Sequence, residues 1–306
     1  MLVGIDTTPL RQTRAGTARY LRGLLGHLDV PVKETSFPAT SRLRTLAADA
    51  LWYPRLKVAG ADLLHCPTFR GPFSSQTPLV VTVHDLAVLR HPEWFNAWTR
   101  GYSRLAVPRV VRAADRVIAV SEFTKGELRE LLGVPEAKIR VVPNAVEDVF
   151  TPEGAKAEGD YVLAVGTLEP RKNLARIAAA VEGELRVAGA AGWGTLEPPA
   201  NLTRLGEVDD EELARLYRGA RCLVYASLYE GFGIPVAEAL ACGCPVVTSR
   251  GGPMAEFAGG DATYVDPTDV ESIRDGIAHA AAAPPRRVSS WVEVARATRE
   301  VYEELA

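Results

Sequence analysis

The sequence predicts an α/β protein of two domains, each a doubly wound parallel sheet with helices on both faces, and three observations lead to this prediction. Short apolar runs rich in β-branched residues alternate with longer amphipathic segments through most of the chain. A segment with the composition of a linker interrupts this alternation near residue 150, and the alternation then begins again. The chain has 306 residues, 47% of them hydrophobic, which is long for one core and sufficient for two.

The first half of the chain contains apolar runs that are short enough to be strands. Strands of a parallel sheet are buried on both faces, so they are apolar along their whole length. The predicted strands are residues 3–6, 62–65, 79–83, 116–120 and 139–142. The segments between them repeat apolar residues at helical spacing, and the predicted helices are residues 16–28, 41–53, 94–113 and 122–132. This order predicts a first Rossmann-like domain.

The second half repeats the pattern after a linker at residues 151–160, where prolines, glycines and mixed charges replace the apolar runs. The predicted strands are residues 161–165, 184–188, 221–225, 244–248 and 262–265, and the predicted helices lie near 172–182, 210–219, 234–242 and 269–283. A last helix, residues 289–305, carries an apolar stripe that needs a partner. We therefore expect a first domain at 1–150, a second at 151–286, and a terminal helix at 287–306 that crosses back to the first.

Charge and cysteine content disfavour several classes of function. The chain carries 35 basic and 38 acidic residues, a formal net charge of −3, so it lacks the basic excess of a non-specific nucleic-acid binder. Its cysteines lie in apolar runs and predict reduced, buried thiols rather than a metal site: Cys66, Cys222, Cys242 and Cys244. No basic leader precedes the first strand and no uncharged run approaches the ~18 residues of a membrane span, so we expect a cytoplasmic protein.

The most informative stretch is residues 230–238, EGFGIPVAE, which follows a predicted strand and opens a predicted helix. Its glycines permit a turn that side chains would block, and backbone N–H groups at such a helix start bind anions. Glu238 lies one turn inside the helix, where an acidic residue accepts hydrogen bonds from a ribose. The alternative is a plain strand-to-helix turn with a surface glutamate, which the second glutamate, Glu230, disfavours.

A second stretch, residues 165–173, has the sequence VGTLEPRKN and also joins a predicted strand to a helix. Arg171 and Lys172 lie at the carboxyl end of that strand, facing the crevice in which such sheets bind ligands. Two cations there can neutralise a diphosphate without a metal ion. The alternative, a solvated basic helix start, runs against the preference of helix N-termini for acidic residues.

Candidates in the first half carry less information by themselves. Gly16 follows the first strand and begins a helix, as a turn glycine also would. His84 ends an apolar strand at the same carboxyl edge, and its significance depends on the second half. His65 occupies a similar position, and we interpret it as structural.

Taken in order, these stretches resemble glycosyltransferase family 4. The segments at residues 166–173 and 229–238 carry most of the specificity. The glycine loop at Gly16 and further short segments add to it: residues 83–86, 120–123, 141–146, 241–247 and 290–291. The resemblance spans nearly the whole chain.

The resemblance implies a GT-B fold, in which two Rossmann-like domains face a central cleft, and a retaining transferase that uses a nucleoside-diphosphate hexose. The residues it implies for catalysis are His84, Arg171, Lys172 and Glu230. The residues it implies for binding the nucleotide sugar are Gly16, Leu205, Gly231, Phe232, Gly233, Ile234 and Glu238, with Glu238 on the ribose and Leu205 near the base. It implies no metal ion and no cofactor beyond the donor.

The expected partners are a GDP- or UDP-linked donor and a saccharide or lipid-linked acceptor, with no nucleic acid. Where several members of the family have a second phosphate-binding arginine, this chain has Thr167, so Arg171 is expected to carry more of that role. A sugar-nucleotide epimerase on a similar fold is the alternative function. Residues 94–112 combine tryptophans with four arginines; we interpret them as core packing with a solvated basic face, and contact with an anionic membrane is the alternative.

Overall fold

The chain folds into two compact units in the computed structural model. The structure describes residues 1–12, 16–38, 41–192 and 201–306, except the side chains of residues 42 and 43. Unit 1 comprises Met1–Ala145 together with Trp291–Ala306, and unit 2 comprises Val146–Ser290. The chain therefore leaves unit 1 at residue 145, ahead of the expected boundary at 150, and returns to it at residue 291 rather than 287.

Unit 1 contains one parallel sheet. Its described strands are β1 (Val3–Asp6), β2 (Val32–Thr35), β3 (Leu63–Cys66), β4 (Leu79–Val83), β5 (Arg116–Ala119) and β6 (Ile139–Val141), in the order β2-β1-β3-β4-β5-β6. Its described α-helices are α1 (Pro9–Gln12), α2 (Gly16–His27), α3 (Arg42–Ala47), α4 (Ala87–Arg90), α5 (Ala97–Ala113) and α6 (Glu122–Leu132). The central strands are buried along their length, as a parallel sheet covered on both faces requires.

Two segments of unit 1 differ from the sequence-based prediction. Strand β2 was not predicted, because it is an edge strand whose Lys33 and Glu34 face solvent and break the apolar pattern. The helix predicted at 41–53 starts as α3, continues as one π-helical turn at Ala48–Trp52 and ends as a 3₁₀ turn at Tyr53–Arg55. Amphipathic periodicity predicts helix here and does not distinguish between the three types.

Unit 2 contains a second parallel sheet. Its described strands are β7 (Tyr161–Val165), β8 (Glu184–Ala188), β9 (Leu202–Gly206), β10 (Cys222–Tyr225), β11 (Val246–Ser249) and β12 (Thr263–Val265), in the order β12-β11-β10-β7-β8-β9. Its described α-helices are α7 (Leu174–Ala180), α8 (Asp210–Gly219), α9 (Ile234–Ala241), α10 (Met254–Ala258) and α11 (Val270–Ala278). The prediction of two doubly wound parallel sheets is confirmed.

The last helix, α12 (Trp291–Glu303), belongs to the core of unit 1. Its side chains Trp291, Val294 and Tyr302 are buried in one cluster with residues of β1 and α2. Trp291 packs so closely on Gly23 of α2 that a Cβ atom at Gly23 would lie 2.1 Å from the indole Cε2. The absence of a side chain at Gly23 is therefore what admits the tryptophan.

A chain of neutral hydrogen bonds joins α12 to the strands. His65 at the end of β3 is fully buried; its Nδ1 lies 2.7 Å from the Tyr302 hydroxyl and its Nε2 lies 2.8 Å from Thr82 Oγ1 on β4. Thr82 Oγ1 is also 3.2 Å from the Tyr20 hydroxyl on α2. Burial lowers the pKa of His65 to about 3, so the ring is neutral and satisfied on both nitrogens. This placement fits the structural interpretation of His65.

Candidate functional site

The order of strands in unit 2 creates one point at which the direction of winding reverses. Strands β7 and β10 are neighbours, whereas the chain winds outward from β7 through β8 to β9 and from β10 through β11 to β12. Open α/β sheets bind ligands outside the carboxyl ends of the two strands at this point. The two stretches that the sequence singled out, residues 165–173 and 230–238, follow β7 and β10 respectively.

The segment after β7 is held against the end of β10 by its backbone. Pro170–Lys172 forms a 3₁₀ turn, and Asn173 follows with a left-handed φ of 58° before α7 begins. The Asn173 side-chain amide donates to the carbonyl oxygens of Ala226 at 3.0 Å and Pro267 at 2.6 Å. The amide of Leu228 donates to the Arg171 carbonyl at 2.8 Å. These bonds fix the two cations at the end of β10.

Four charged side chains meet at this point; we call Glu169, Arg171, Lys172 and Glu230 the charged cluster. Lys172 Nζ donates to Glu230 Oε1 at 2.7 Å, and Arg171 Nη1 donates to Glu230 Oε2 at 2.8 Å. Arg171 Nη2 lies 2.8 Å from Glu169 Oε1. Lys172 and Glu230 are both less than 10% exposed, so this is a largely desolvated ion-pair network.

The electrostatics of the cluster follow from burial and from its paired charges. Burial by itself raises the pKa of Glu230, but the charges of Arg171 and Lys172 outweigh it and hold that pKa at about 2. Burial lowers the pKa of Lys172, and the carboxylate of Glu230 opposes this effect. Glu230 is therefore ionised at neutral pH, and its charge favours the protonated form of the buried lysine beside an arginine.

Tyr225, the last residue of β10, was missed by sequence reasoning. Its hydroxyl lies 2.5 Å from Lys172 Nζ, and the ring is almost completely buried. Burial raises the pKa of Tyr225 well above its usual value, so the phenol stays neutral and accepts a hydrogen bond from the ammonium. Its position at the end of a predicted strand was the only indication in the sequence. That position did not point to Lys172, because the pairing of β7 with β10 was not evident from the sequence.

The glycine turn after β10 has the geometry that its sequence indicated. Gly233 adopts a left-handed φ of 98°, and α9 begins at Ile234 with Pro235 in its first turn. A Cβ atom at Gly233 would lie 2.6 Å from Met254 Cγ, so the position has no room for a side chain. Phe232 is buried and stacks on Phe257 with a centroid distance of 4.8 Å. Gly231 and Ile234 flank this turn.

The two glutamates of this stretch have different surroundings. Glu230 contacts the cations, whereas Glu238 lies inside α9, 1% exposed, and accepts a hydrogen bond from the Tyr217 hydroxyl of α8 at 2.9 Å. A carboxylate buried and bonded in this way is rigid. Its expected contact with a ribose stays a prediction.

The remaining site candidates lie elsewhere. Leu205 is half-buried in the edge strand β9 of unit 2. In unit 1, Gly16 is the first residue of α2, while Arg14 and Ala15 before it fall outside the described residues. His84 follows β4; its Nε2 lies 3.0 Å from the Pro67 carbonyl, its ring packs edge-on against Tyr20, and burial lowers its pKa. All four residues of the charged cluster thus lie in unit 2. The roles of Gly16 and His84 in unit 1 stay predictions.

Comparison with known proteins assigns the chain to a family. A model described as Glycosyltransferase Family 4 matches residues 8–150, and one described as Glycosyl transferases group 1 matches residues 146–297. The O-antigen chain mannosyltransferase B of Escherichia coli is 30% identical over 264 residues, which are 77% of this chain and 68% of that protein. The chain belongs to glycosyltransferase family 4. The predicted resemblance and the predicted enzyme class, a glycosyltransferase, are confirmed.

Two further comparisons concern the family and the fold. The O-antigen chain mannosyltransferase RfbU of Salmonella typhimurium is 30% identical over 272 residues, covering 81% of this chain and 74% of that protein. Sucrose-phosphate synthase from Thermosynechococcus elongatus superposes with a TM-score of 0.77 over 99% of this chain and 98% of that one, at 19% sequence identity. The latter similarity concerns the fold, and the GT-B class is confirmed.

The structure also bears on the cysteines, on metal-ligating groups and on membrane-spanning helices. Cys66, Cys222, Cys242 and Cys244 are buried free thiols, as predicted. Within the described ranges, no group of three or more potential metal-ligating side chains comes together. In the same part of the chain, every helix is too short or too polar to span a membrane.

Proposed function

We propose that this family 4 enzyme transfers a hexose, with retention and without a metal ion, from a GDP- or UDP-linked sugar to a saccharide or lipid-linked saccharide. The acceptor belongs to a surface polysaccharide or glycoconjugate in this proposal. The observation that carries it is the placement of Arg171 and Lys172 together at the winding reversal of unit 2. Two adjacent cations at this point match the charge of a diphosphate.

The proposed chemistry is electrostatic. The bond between the anomeric carbon and the diphosphate oxygen breaks, the acceptor hydroxyl attacks the anomeric carbon from the face that the diphosphate leaves, and the leaving phosphate takes the acceptor's proton. Negative charge grows on the diphosphate, and the cations of Arg171 and Lys172 stabilise it. Tyr225 and the 3₁₀ turn before Asn173 hold Lys172 in place ahead of the reaction, so little reorganisation is needed at that step.

The other binding roles follow the same proposal. Glu238 accepts hydrogen bonds from the ribose hydroxyls, while the backbone around Gly233 contacts the phosphate and sugar. Leu205 lies near the base, and Gly16 and His84 serve the donor from unit 1. The rigid setting of Glu238 against Tyr217 supports its assignment, because a carboxylate already fixed loses little entropy on binding a diol.

The first donor to test is a mannosyl donor, because the two relatives described above are named mannosyltransferases. We would incubate the enzyme with GDP-mannose, UDP-glucose and UDP-galactose in turn, with a panel of saccharide and lipid-linked acceptors. Proton NMR of the product gives the anomeric configuration. A product with inverted configuration would contradict the proposed mechanism.

Metal independence is tested in the same assay. Activity should survive an excess of EDTA, because Arg171 and Lys172 supply the positive charge that other glycosyltransferases obtain from a cation. Complete loss on chelation, restored by Mg²⁺ or Mn²⁺, would overturn this part of the proposal. Conversion of the donor to a new sugar nucleotide in the absence of any acceptor would instead favour the epimerase.

A peripheral membrane contact is a second proposal, and one surface supports it. On α5, the apolar side chains Ala106, Val107 and Val110 pack in the core, while Trp98 and Leu105 are exposed by 42% and 48%. Arg100, Arg104 and Arg112 are exposed on the same helix, which has no acidic residue. Co-sedimentation with vesicles containing anionic lipid, compared with neutral vesicles, tests the proposal; equal binding to both would contradict it.

A further inference from the structure

Both cations of the charged cluster have anionic partners within the protein itself. Glu230 holds Lys172 through Oε1 at 2.7 Å and Arg171 through Oε2 at 2.8 Å. One carboxylate therefore bridges the two cations with its two oxygens, as two oxygens of a phosphate group would. The positive charges of Arg171 and Lys172 are therefore paired with a carboxylate of the protein itself.

We propose that Glu230 is an internal competitor of the donor's diphosphate: its carboxylate pairs with both cations and must give way when the diphosphate binds. This inference rests on the proposed function of the site. It concerns a carboxylate that opposes binding of the diphosphate group itself.

Charge balance supports the proposal. The formal charges of Glu169, Arg171, Lys172 and Glu230 cancel, so a diphosphate that entered with Glu230 unmoved would bring excess negative charge into a largely desolvated site. Like charges brought close together repel strongly where water is excluded. Release of one or both cations by Glu230 removes this penalty.

The same exchange acts on the product. When the sugar has been transferred, the nucleoside diphosphate leaves the buried Lys172 and the partly buried Arg171 behind, and Glu230 can pair with them again. The carboxylate therefore makes departure of the product easier, since no cation is left buried without a partner. Glu230 limits affinity for the diphosphate and in return prevents the product from remaining bound.

Glu169 provides a matched comparison. It is buried to the same degree as Glu230, with 7% of its side chain exposed, and it is ion-paired with Arg171 at 2.8 Å. Lys172, however, forms its ion pair with Glu230. Removal of the Glu169 charge should therefore break the ion pair with Arg171 and act on Lys172 only at longer range, whereas removal of the Glu230 charge should break an ion pair with each cation.

The experiment compares Glu230→Gln with Glu169→Gln. Glutamine keeps the shape of the side chain and removes the charge. Calorimetric titration of each variant with GDP, with UDP and with inorganic pyrophosphate should give a Kd for the preferred nucleotide about tenfold lower in Glu230→Gln than in the wild type. We expect a gain of only about twofold to threefold in Glu169→Gln. Pyrophosphate should show the same order, because the competition concerns the phosphates.

Unchanged or weaker nucleotide binding by folded Glu230→Gln would overturn the inference. Glu230→Asp provides a second variant in case the glutamine variant unfolds: its shorter carboxylate cannot span both cations, so its affinity should lie between those of the wild type and the glutamine variant. An affinity at or below the wild-type value would contradict the inference as well. If folded wild-type protein binds neither nucleotide nor pyrophosphate, it is the proposed function of the site that fails.

Discussion

The two units bury different kinds of polar network against their sheets. In unit 1, His65, Thr82, Tyr20 and Tyr302 form a buried chain of neutral hydrogen bonds. In unit 2, Lys172 and Glu230 form a buried pair of opposite charges beside Arg171. The strands that both networks contact are short, parallel and largely buried, so the fold class does not explain the difference.

The difference indicates what each network is for. Neutral groups that satisfy each other cost little to bury, and they fix one element on another. Buried charges cost much more to desolvate, and an ion pair returns this cost only in part. We therefore expect the network of unit 1 to serve stability, because it fastens α12, and under the proposed function the network of unit 2 serves binding and catalysis. The predictions below test this division, beginning with the largest expected effect.

Trp291→Ala should destabilise unit 1 by about 3–5 kcal/mol, because it empties the space that Gly23 provides in the core. Urea unfolding followed by tryptophan fluorescence measures this, since Trp52, Trp94 and Trp98 remain in unit 1. Val292→Ala is the control on the same helix, as Val292 is 64% exposed. Equal destabilisation by the two variants would show that α12 is not held through its buried face.

Lys172→Ala should lower kcat/KM by about 10²–10³-fold, because it removes one of the two charges that stabilise the leaving diphosphate. Steady-state kinetics with the preferred donor give this value. Lys156→Ala, an exposed lysine of the same unit, is the control and should retain wild-type activity. If Lys172→Ala had a small effect on activity and a large effect on unfolding, the network of unit 2 would serve stability rather than catalysis.

Acid should destabilise unit 1 before it affects the charged cluster. The pKa of His65 is lowered from 6.5 to about 3, so the unfolded chain takes up a proton first and stability falls as the pH drops below 6.5; at pH 5 the loss is about 2 kcal/mol. His84, whose pKa burial also lowers, acts in the same direction. The pKa of Glu230 is lowered from 4.5 to about 2, so its contribution is complete above pH 4.5 and is lost only as the pH falls towards 2.

Unfolding by urea at pH 6.5 and at pH 5.0, followed by tryptophan fluorescence, measures the effect on unit 1. His65→Gln is the informative variant: although less stable overall, it should lose less stability between the two pH values than the wild type does. The same pH dependence in both proteins would mean that other groups cause it.

The smallest effects come from two buried tyrosines, Tyr302 of unit 1 and Tyr225 of unit 2. Tyr302→Phe should cost about 1–1.5 kcal/mol of stability and leave kcat/KM unchanged, because it removes a hydrogen bond to His65. Tyr225→Phe should reduce kcat/KM about fivefold, because Lys172 loses the group that orients it. Thermal unfolding and steady-state kinetics on both variants test this. If the two variants lost stability and kcat/KM to the same extent, the two networks would not differ in function.

Sequence reasoning succeeded where a local pattern was sufficient. The central strands of both sheets are apolar throughout, and Lys172 and Glu230 lie in short stretches that directly follow two of them. Parallel strands bring their carboxyl ends to one edge, which is why two stretches that each follow a strand of this sheet lie at the same edge. The edge strands β2 and β9 were missed because exposed polar residues interrupt them.

What the sequence did not reveal depends on contacts between distant residues. The hydrogen bond between Tyr225 and Lys172 requires β10 to lie next to β7, although two strands separate them in the chain. The bridging position of Glu230 requires the left-handed Asn173, whose conformation is fixed by bonds to Ala226 and Pro267. No pattern within either stretch contains this information.

The packing of α12 on α2 also has a consequence for synthesis of the protein. All residues of unit 2 leave the ribosome before Trp291, whereas the core of unit 1 is incomplete until that tryptophan reaches Gly23. Unit 1 is thus started before unit 2 but completed after it. Its apolar surface around Tyr20 and Leu24 stays exposed while unit 2 is synthesised. Slow translation through residues 146–290 should therefore expose the nascent chain to aggregation or chaperone binding at unit 1.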